Sequence, residues 1–152
     1  ISVSEEKIKG YRNFANKLWN IGRFIEMNSE GKDIPWFEKD MKGLNDQDKA
    51  MIKQLSQLVA KVTQYLNNHK YSLAGEMLYN FVWNELANTY IEQSKDRIKE
   101  GNTATLSAIR HIYLNCIKML HPFVPFVTEA IWQQFPRKYK GDLIVSNWPS
   151  KQ

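Results

Sequence analysis

The stretch NDQDKAMIKQLSQLVAKVTQYL, residues 45–66, decides the fold class. Met51, Ile52, Leu55, Leu58, Val59, Val62 and Leu66 recur at steps of three and four, which lays them along one stripe of an α-helix. Asn45 precedes the series, and Asp46 and Asp48 stand in its first turn, where carboxylates oppose the positive end of the helix dipole. A helix starting near Asn45 follows.

Working outward, glycine and proline are scarce inside the periodic stretches and gather between them, which reads as helices joined by loops. A first helix is predicted from near Ser4 to about Met27, followed by a loop with Gly31, Pro35, Trp36 and Phe37. A third runs from near Ser72 to about Glu100, where Gly101 supplies the stop. Thr103 is placed as the cap of a fourth helix bearing Ile109, Ile112, Tyr113, Cys116, Ile117 and Leu120. Pro122 and Pro125 end it and turn the chain into a short fifth helix through Trp132. The tail from Pro136, with Leu143, Ile144, Val145 and Trp148, is expected to pack along the bundle. The fold class is therefore all-α: a helical bundle of about five helices with a short irregular C-terminal tail.

The 152 residues fit one domain, with a hydrophobic fraction of 43% that is ample for a packed core and excludes a disordered chain. The lone Cys116 has no partner for an internal disulfide and points to a reducing, cytoplasmic setting. No apolar run suits a membrane span. The chain begins at Ile1 rather than Met, as expected of a piece of a longer protein. A formal charge of +5 suits a polyanionic partner but does not identify one.

On a helical wheel of about 100° per residue, Tyr11, Phe14, Ala15, Leu18, Gly22 and Ile25 form the core face of the first helix. Opposite lie Lys9, Asn13, Asn16, Lys17 and Asn20, and Phe24 falls among them. Burying a phenyl ring gains about 1.5–3 kcal/mol, so a ring beside Lys and Asn needs a reason. Either the following loop covers it, through Trp36 or Phe37, or it is a platform on which an unpaired base stacks, with Lys and Asn meeting phosphates and base edges. The wheel leaves both open.

The third helix carries two stripes, Ala74, Leu78 and Phe81 in one and Tyr79, Trp83, Leu86 and Tyr90 in the other, an arc wide enough to predict a central position. Glu85 falls within the first stripe, where a buried carboxylate needs a structural ion pair. Ile91 lies on another side, beside Ala87, Asn88 and Lys95, as an edge residue. His69, His111 and His121 lack the spacing of a metal site, and no phosphate loop, GxSxG turn or paired carboxylates occur. A non-catalytic module is expected.

Three longer motifs carry a resemblance. GYRNFANKLWNIGRF at 10–24 closely resembles the helix that opens the anticodon-binding domain of valyl-tRNA synthetases, and YNFVWNEL at 79–86 with YIE at 90–92 looks like that family's central helix. LHPFVPFVTEAIW at 120–132 is similar to a segment shared by the valine, isoleucine, leucine and methionine enzymes, and Asn147-Trp148-Pro149 resembles the domain's close. The similarity spans nearly the whole chain and is weakest over 29–44. The resemblance implies a domain that holds the anticodon stem-loop of tRNA(Val), while a catalytic domain of the same parent chain joins valine to the tRNA with ATP and Mg. It carries anticodon contacts to Lys17, Phe24 and Ile91, the last being leucine more often, and marks Arg12, Asn13, Asn16, Asn20 and Arg23 as surface contacts. Ala87-Asn88-Thr89 departs from a common Cys-Asp-Trp, and the HIGH and KMSKS signatures, editing domain and coiled-coil arm are missing. The piece is thus expected to be monomeric, with no cofactor of its own. The alternatives are the equivalent domain of an isoleucyl- or leucyl-tRNA synthetase, and a helical protein-interaction domain without an RNA role.

Overall fold

The computed structural model describes residues 5–135 and 146–149. Five helices succeed one another: α1 (Glu5–Ser29), α2 (Asp46–Asn67), α3 (71–99), α4 (Thr103–Leu120) and α5 (Pro125–Gln134). The all-α bundle is as expected, and the predicted start at Ser4 lies outside the described residues. The middle of α3, Phe81–Ile91, is wound as a π-helix between α-helical segments Tyr71–Asn80 and Glu92–Lys99.

Local chemistry sets the helix ends. Asn45 caps α2 through a capping box: its side chain accepts from the Asp48 amide at 2.9 Å, and Asp48 Oδ2 accepts from the Asn45 amide at 3.0 Å. The α2–α3 turn closes with Lys70 N donating to Tyr65 O (2.8 Å) and His69 N to Leu66 O (3.1 Å), which holds His69 at a φ of 57°. The same pair of bonds ends α3, with Gly101 at φ 93°. The cap of α4 is Asn102 rather than Thr103: its Oδ1 accepts from the Thr105 amide at 3.0 Å, while its Nδ2 donates to Gly43 O at 3.0 Å. One side chain thereby joins a helix start to the long loop.

The central helix is α4, not α3 as its wide apolar arc predicts. Fifteen of the eighteen residues of α4 are buried, and it touches all four other helices. Against it lies α1, with Phe14, Leu18, Ile21 and Ile25 buried. Gly22 marks the crossing: a Cβ there would lie 3.1 Å from Tyr113 Oη, which donates to Leu18 O at 2.6 Å. Tyr11, assigned to the core face, is instead 65% exposed. The loop after α1 is strapped to α4 by Arg110 Nη2, which donates to the carbonyls of Ile34 (3.1 Å) and Pro35 (2.7 Å), with Ser107 Oγ also donating to Pro35 O (2.7 Å). The Arg110 guanidinium lies over Trp36, and Phe37 stacks on His111. Trp148 in the tail donates its indole N–H to Thr63 Oγ1 at 2.9 Å, as expected of a tail packed on the bundle; Leu143, Ile144 and Val145 lie outside the described residues.

Where α2, α3 and α4 converge, Asp48 has no exposed surface. Its Oδ1 accepts from Tyr90 Oη (2.6 Å) and Arg97 Nη2 (3.0 Å), and its Oδ2 from Thr105 Oγ1 (2.8 Å) and the Asn45 amide (3.0 Å). Four donors on two oxygens compensate a charge that burial would otherwise make prohibitive. Removing one member of a buried ion pair costs about 3–5 kcal/mol, so Asp48→Ala is expected to lower unfolding stability by that amount, measured by urea denaturation. A loss below about 1 kcal/mol would show that the network is not holding the three helices.

Burial raises the hydroxyls of Tyr90 and Tyr113 and the Cys116 thiol well above their ordinary values, and the hydrogen bond to Asp48 adds to the effect at Tyr90. In the unfolded chain these groups ionise near about 8.5 for the thiol and about 10 for the phenols. Above those values the folded state holds more protons than the unfolded state, so their contribution, complete at lower pH, is lost as pH rises. The urea midpoint is expected to begin falling above about pH 8.5 and more steeply above about 10. Ultraviolet titration should find these two tyrosines ionising only with unfolding.

Candidate nucleic-acid interface

The polar side of α1 is open. Arg12, Asn13, Asn16, Asn20 and Arg23 are all exposed, and Lys17 and Phe24 are half-buried on the same helix. Phe24 packs against the hydrophobic core, so packing accounts for part of its ring; of the loop aromatics, Trp36 lies under Arg110 and Phe37 stacks on His111. About 10 Å of helix axis separates Lys17 from Phe24, the rise of seven residues.

Beside Lys17 stands the π-wound part of α3. The Lys17 ammonium lies 5.1 Å from the centre of the Trp83 ring and donates to Asn88 Oδ1 at 3.3 Å. Trp83 stacks on Tyr79 at 5.7 Å and 14°, and Tyr79 meets Phe14 of α1 at 4.9 Å. A row of rings thus ties the two helices together and ends at a lysine.

Ile91 departs from the edge position read from the sequence: it is buried, 5% exposed, in the main core. Glu85, predicted to be buried in an ion pair, is exposed and makes none with the described residues. The departure of Ile91 has a cause in the winding. The wheel assumes α-helical winding, whereas the i→i+5 winding of this segment sets residues five apart one above another. Phe81, Leu86 and Ile91 accordingly share the buried side, as do Val82 and Ala87. Glu85 is exposed although Tyr90, five residues on, is buried, so the winding explains Ile91 and not Glu85. The same winding carries Trp83 and Asn88 to Lys17 together; on an α-helix they would stand about 140° apart. Sequence reading missed both as members of the site. The usable signal was the five-residue repeat of apolar residues.

Comparison with known proteins decides the family. Residues 48–152 match the family model described as the anticodon-binding domain of tRNA ligase. The chain belongs to that family. It is 36% identical to the valine–tRNA ligase of Laribacter hongkongensis and 39% identical to that of Staphylococcus aureus, in each case over 98% of this chain and 17% of the relative. The valine–tRNA ligase of Oceanobacillus iheyensis is 38% identical over 95% of the chain and 16% of its own length. The chain therefore spans about a sixth of these relatives. The match to the anticodon-binding domain family covers α2 to the C-terminus, and the longer alignments to the relatives include α1. Among the described residues no group of three or more His, Cys, Asp or Glu is placed to hold a metal, and no helix is long and apolar enough to cross a membrane.

If the α1 face is a contact surface rather than part of the core, its residues should be nearly dispensable for folding. An exposed cation–π contact gives about 0.5–1 kcal/mol, so Lys17→Ala is expected to lower stability by no more than about 1 kcal/mol with helicity by circular dichroism unchanged. Phe24→Ala, which removes a half-buried ring, should cost more, roughly 1–2 kcal/mol, below the 3–5 of a fully buried Phe.

Proposed function

We propose that this chain is the anticodon stem-loop-binding domain of a valine–tRNA ligase, and that it reads tRNA(Val) through the open face of α1. The observation that carries the reading is the Lys17 ammonium, held by Trp83 and Asn88 on a face that also presents Phe24, Arg12, Asn13, Asn16, Asn20 and Arg23. Anticodon bases are unpaired and can stack on an aromatic ring, while cations and amides nearby meet phosphates and base edges. Valine, rather than isoleucine or leucine, is supported by the relatives at 36–39% identity. In this reading Ile91 acts from within, as part of the packing that sets the α3 surface, and not as an open contact.

The parent enzyme would attach valine to the tRNA in a separate catalytic domain that uses ATP and Mg, and would work in the cytoplasm. This domain supplies binding and no catalytic group, and on its own would be a monomer.

The test is a titration of valine and isoleucine anticodon stem-loops against wild type, Lys17→Ala and Phe24→Ala. The valine loop is expected to bind more tightly. Each substitution should weaken it, Phe24→Ala by the about 1–3 kcal/mol of one stacked base. Preference for the isoleucine loop would overturn the assignment to valine, and unchanged binding by both variants would overturn the site.

A further inference from the structure

Helices α2 and α3, joined by the short turn at 68–70, pack side by side and leave a groove of about 890 Å³ between them. It shares no residue with the open face of α1. Its floor is apolar: Leu58 and Phe81 are buried, Met77 is half-buried, and Leu73 remains 44% exposed. Its two walls carry opposite charge. Lys61 stands on the α2 side, its ammonium 4.8 Å from the Tyr65 ring centre, and Glu76 and Glu85 stand on the α3 side. The ion pairs among the described residues are Lys95–Glu92 and Arg97–Asp48, so none of the three wall charges is paired there.

We propose that this groove docks an amphipathic helix from elsewhere in the parent chain, with an acidic flank against Lys61 and a basic flank against Glu76 and Glu85. The inference rests on the reading of this chain as one domain of a longer synthetase, and gives that domain a second surface. The shape selects a helix. On α2 the lining runs from Gln54 to Tyr65 at helical spacing, which is about 16 Å and matches about three turns of a third helix laid alongside. Walls made of two helices offer no unpaired backbone to which a strand could add, whereas helix side chains at i, i+3 or i+4 and i+7 settle onto such a floor. The charges exclude a polyanion, because a phosphate backbone along the groove would meet both carboxylates. The source follows from the relatives. The chain spans about a sixth of their length, and a segment of the same polypeptide meets the groove at the millimolar effective concentration of a tether. Contacts between domains of one chain are also more polar than obligate interfaces, as is the amide-rich rim of Gln54, Gln57, Asn80 and Asn84.

The experiment is thiol labelling of Asn80→Cys, an exposed position in the groove, in the parent enzyme and in this chain alone; the native Cys116 is fully buried. Labelling at position 80 is read by mass spectrometry, and circular dichroism checks that each variant keeps its helices. The rate is expected to be about tenfold slower in the parent, the factor for a groove filled in nine molecules of ten. It should return to that of the chain alone when Lys61→Glu, Glu76→Lys and Glu85→Lys are combined. In the unsubstituted parent, a carbodiimide, which joins a carboxylate to an amine in direct contact, should link Lys61 to an Asp or Glu of a segment outside residues 1–152. Equal labelling in the parent and the chain alone, protection that survives the triple reversal, or no such link would each overturn the proposal. Protection that grows with enzyme concentration would put the occupant on another molecule and overturn it too. Charging of tRNA(Val) by the unsubstituted parent is read separately: a parent that fails to charge it refutes the synthetase reading, whatever the groove shows.

Discussion

The Asp48 carboxylate has no exposed surface, and the ends of three helices are arranged to surround it with donors. The four donors come from three places: the Asn45 amide at the start of α2, Tyr90 and Arg97 in the second half of α3, and Thr105 in the first turn of α4. A carboxylate so deep tolerates little displacement of any of them, because a donor moved by an ångström leaves a buried charge short of a hydrogen bond. Replacing such a network by apolar side chains often costs nothing in stability. Its effect here is on registration: Tyr90 and Arg97 can both meet Asp48 only if α3 arrives with one particular rotation.

That rotation is produced by the π-wound stretch 81–91. Tyr90, near its end, reaches inward to the carboxylate, while Trp83 and Asn88 in the same stretch reach outward to Lys17. The buried network and the candidate RNA face are therefore two sides of one piece of helix. The remaining wall, α1, is pinned from below where Tyr113 donates to Leu18 O beside Gly22. From above it is held by the Phe14–Tyr79–Trp83 row of rings. The Lys17 side chain is presented by a helix fixed on both faces.

Much of the fold was legible from residues alone. The apolar stripe of α2, the Asn45 start, the Gly101 stop and the proline-bounded α5 all follow from local rules, and all stand in the structure. What failed was whatever depended on winding or on distant partners. Asp48 reads as an ordinary first-turn carboxylate, because nothing local shows that Tyr90, Arg97 and Thr105 will converge on it. Ile91 was turned the wrong way by an assumed α-helical period, while the exposure of Glu85 and Tyr11 depends on tertiary neighbours that no local rule supplies. On α1, where winding is regular, the wheel placed Lys17, Asn13, Asn16 and Asn20 correctly on the open side and singled out Phe24. The other half of the candidate site, Trp83 and Asn88, lay beyond it for the same reason as Ile91.

The wide turns of 81–91 give this segment a constraint that no single side chain expresses. Each holds about one residue more than an α-helical turn, since its hydrogen bonds run i→i+5 rather than i→i+4. Loss of one residue anywhere within it would let the backbone tighten and swing everything downstream by about 100°. Tyr90 would then leave the carboxylate and Asn88 would leave the lysine together. The length of this stretch works as a phase setting between the interior and the surface, and related chains should vary its letters far more freely than their number.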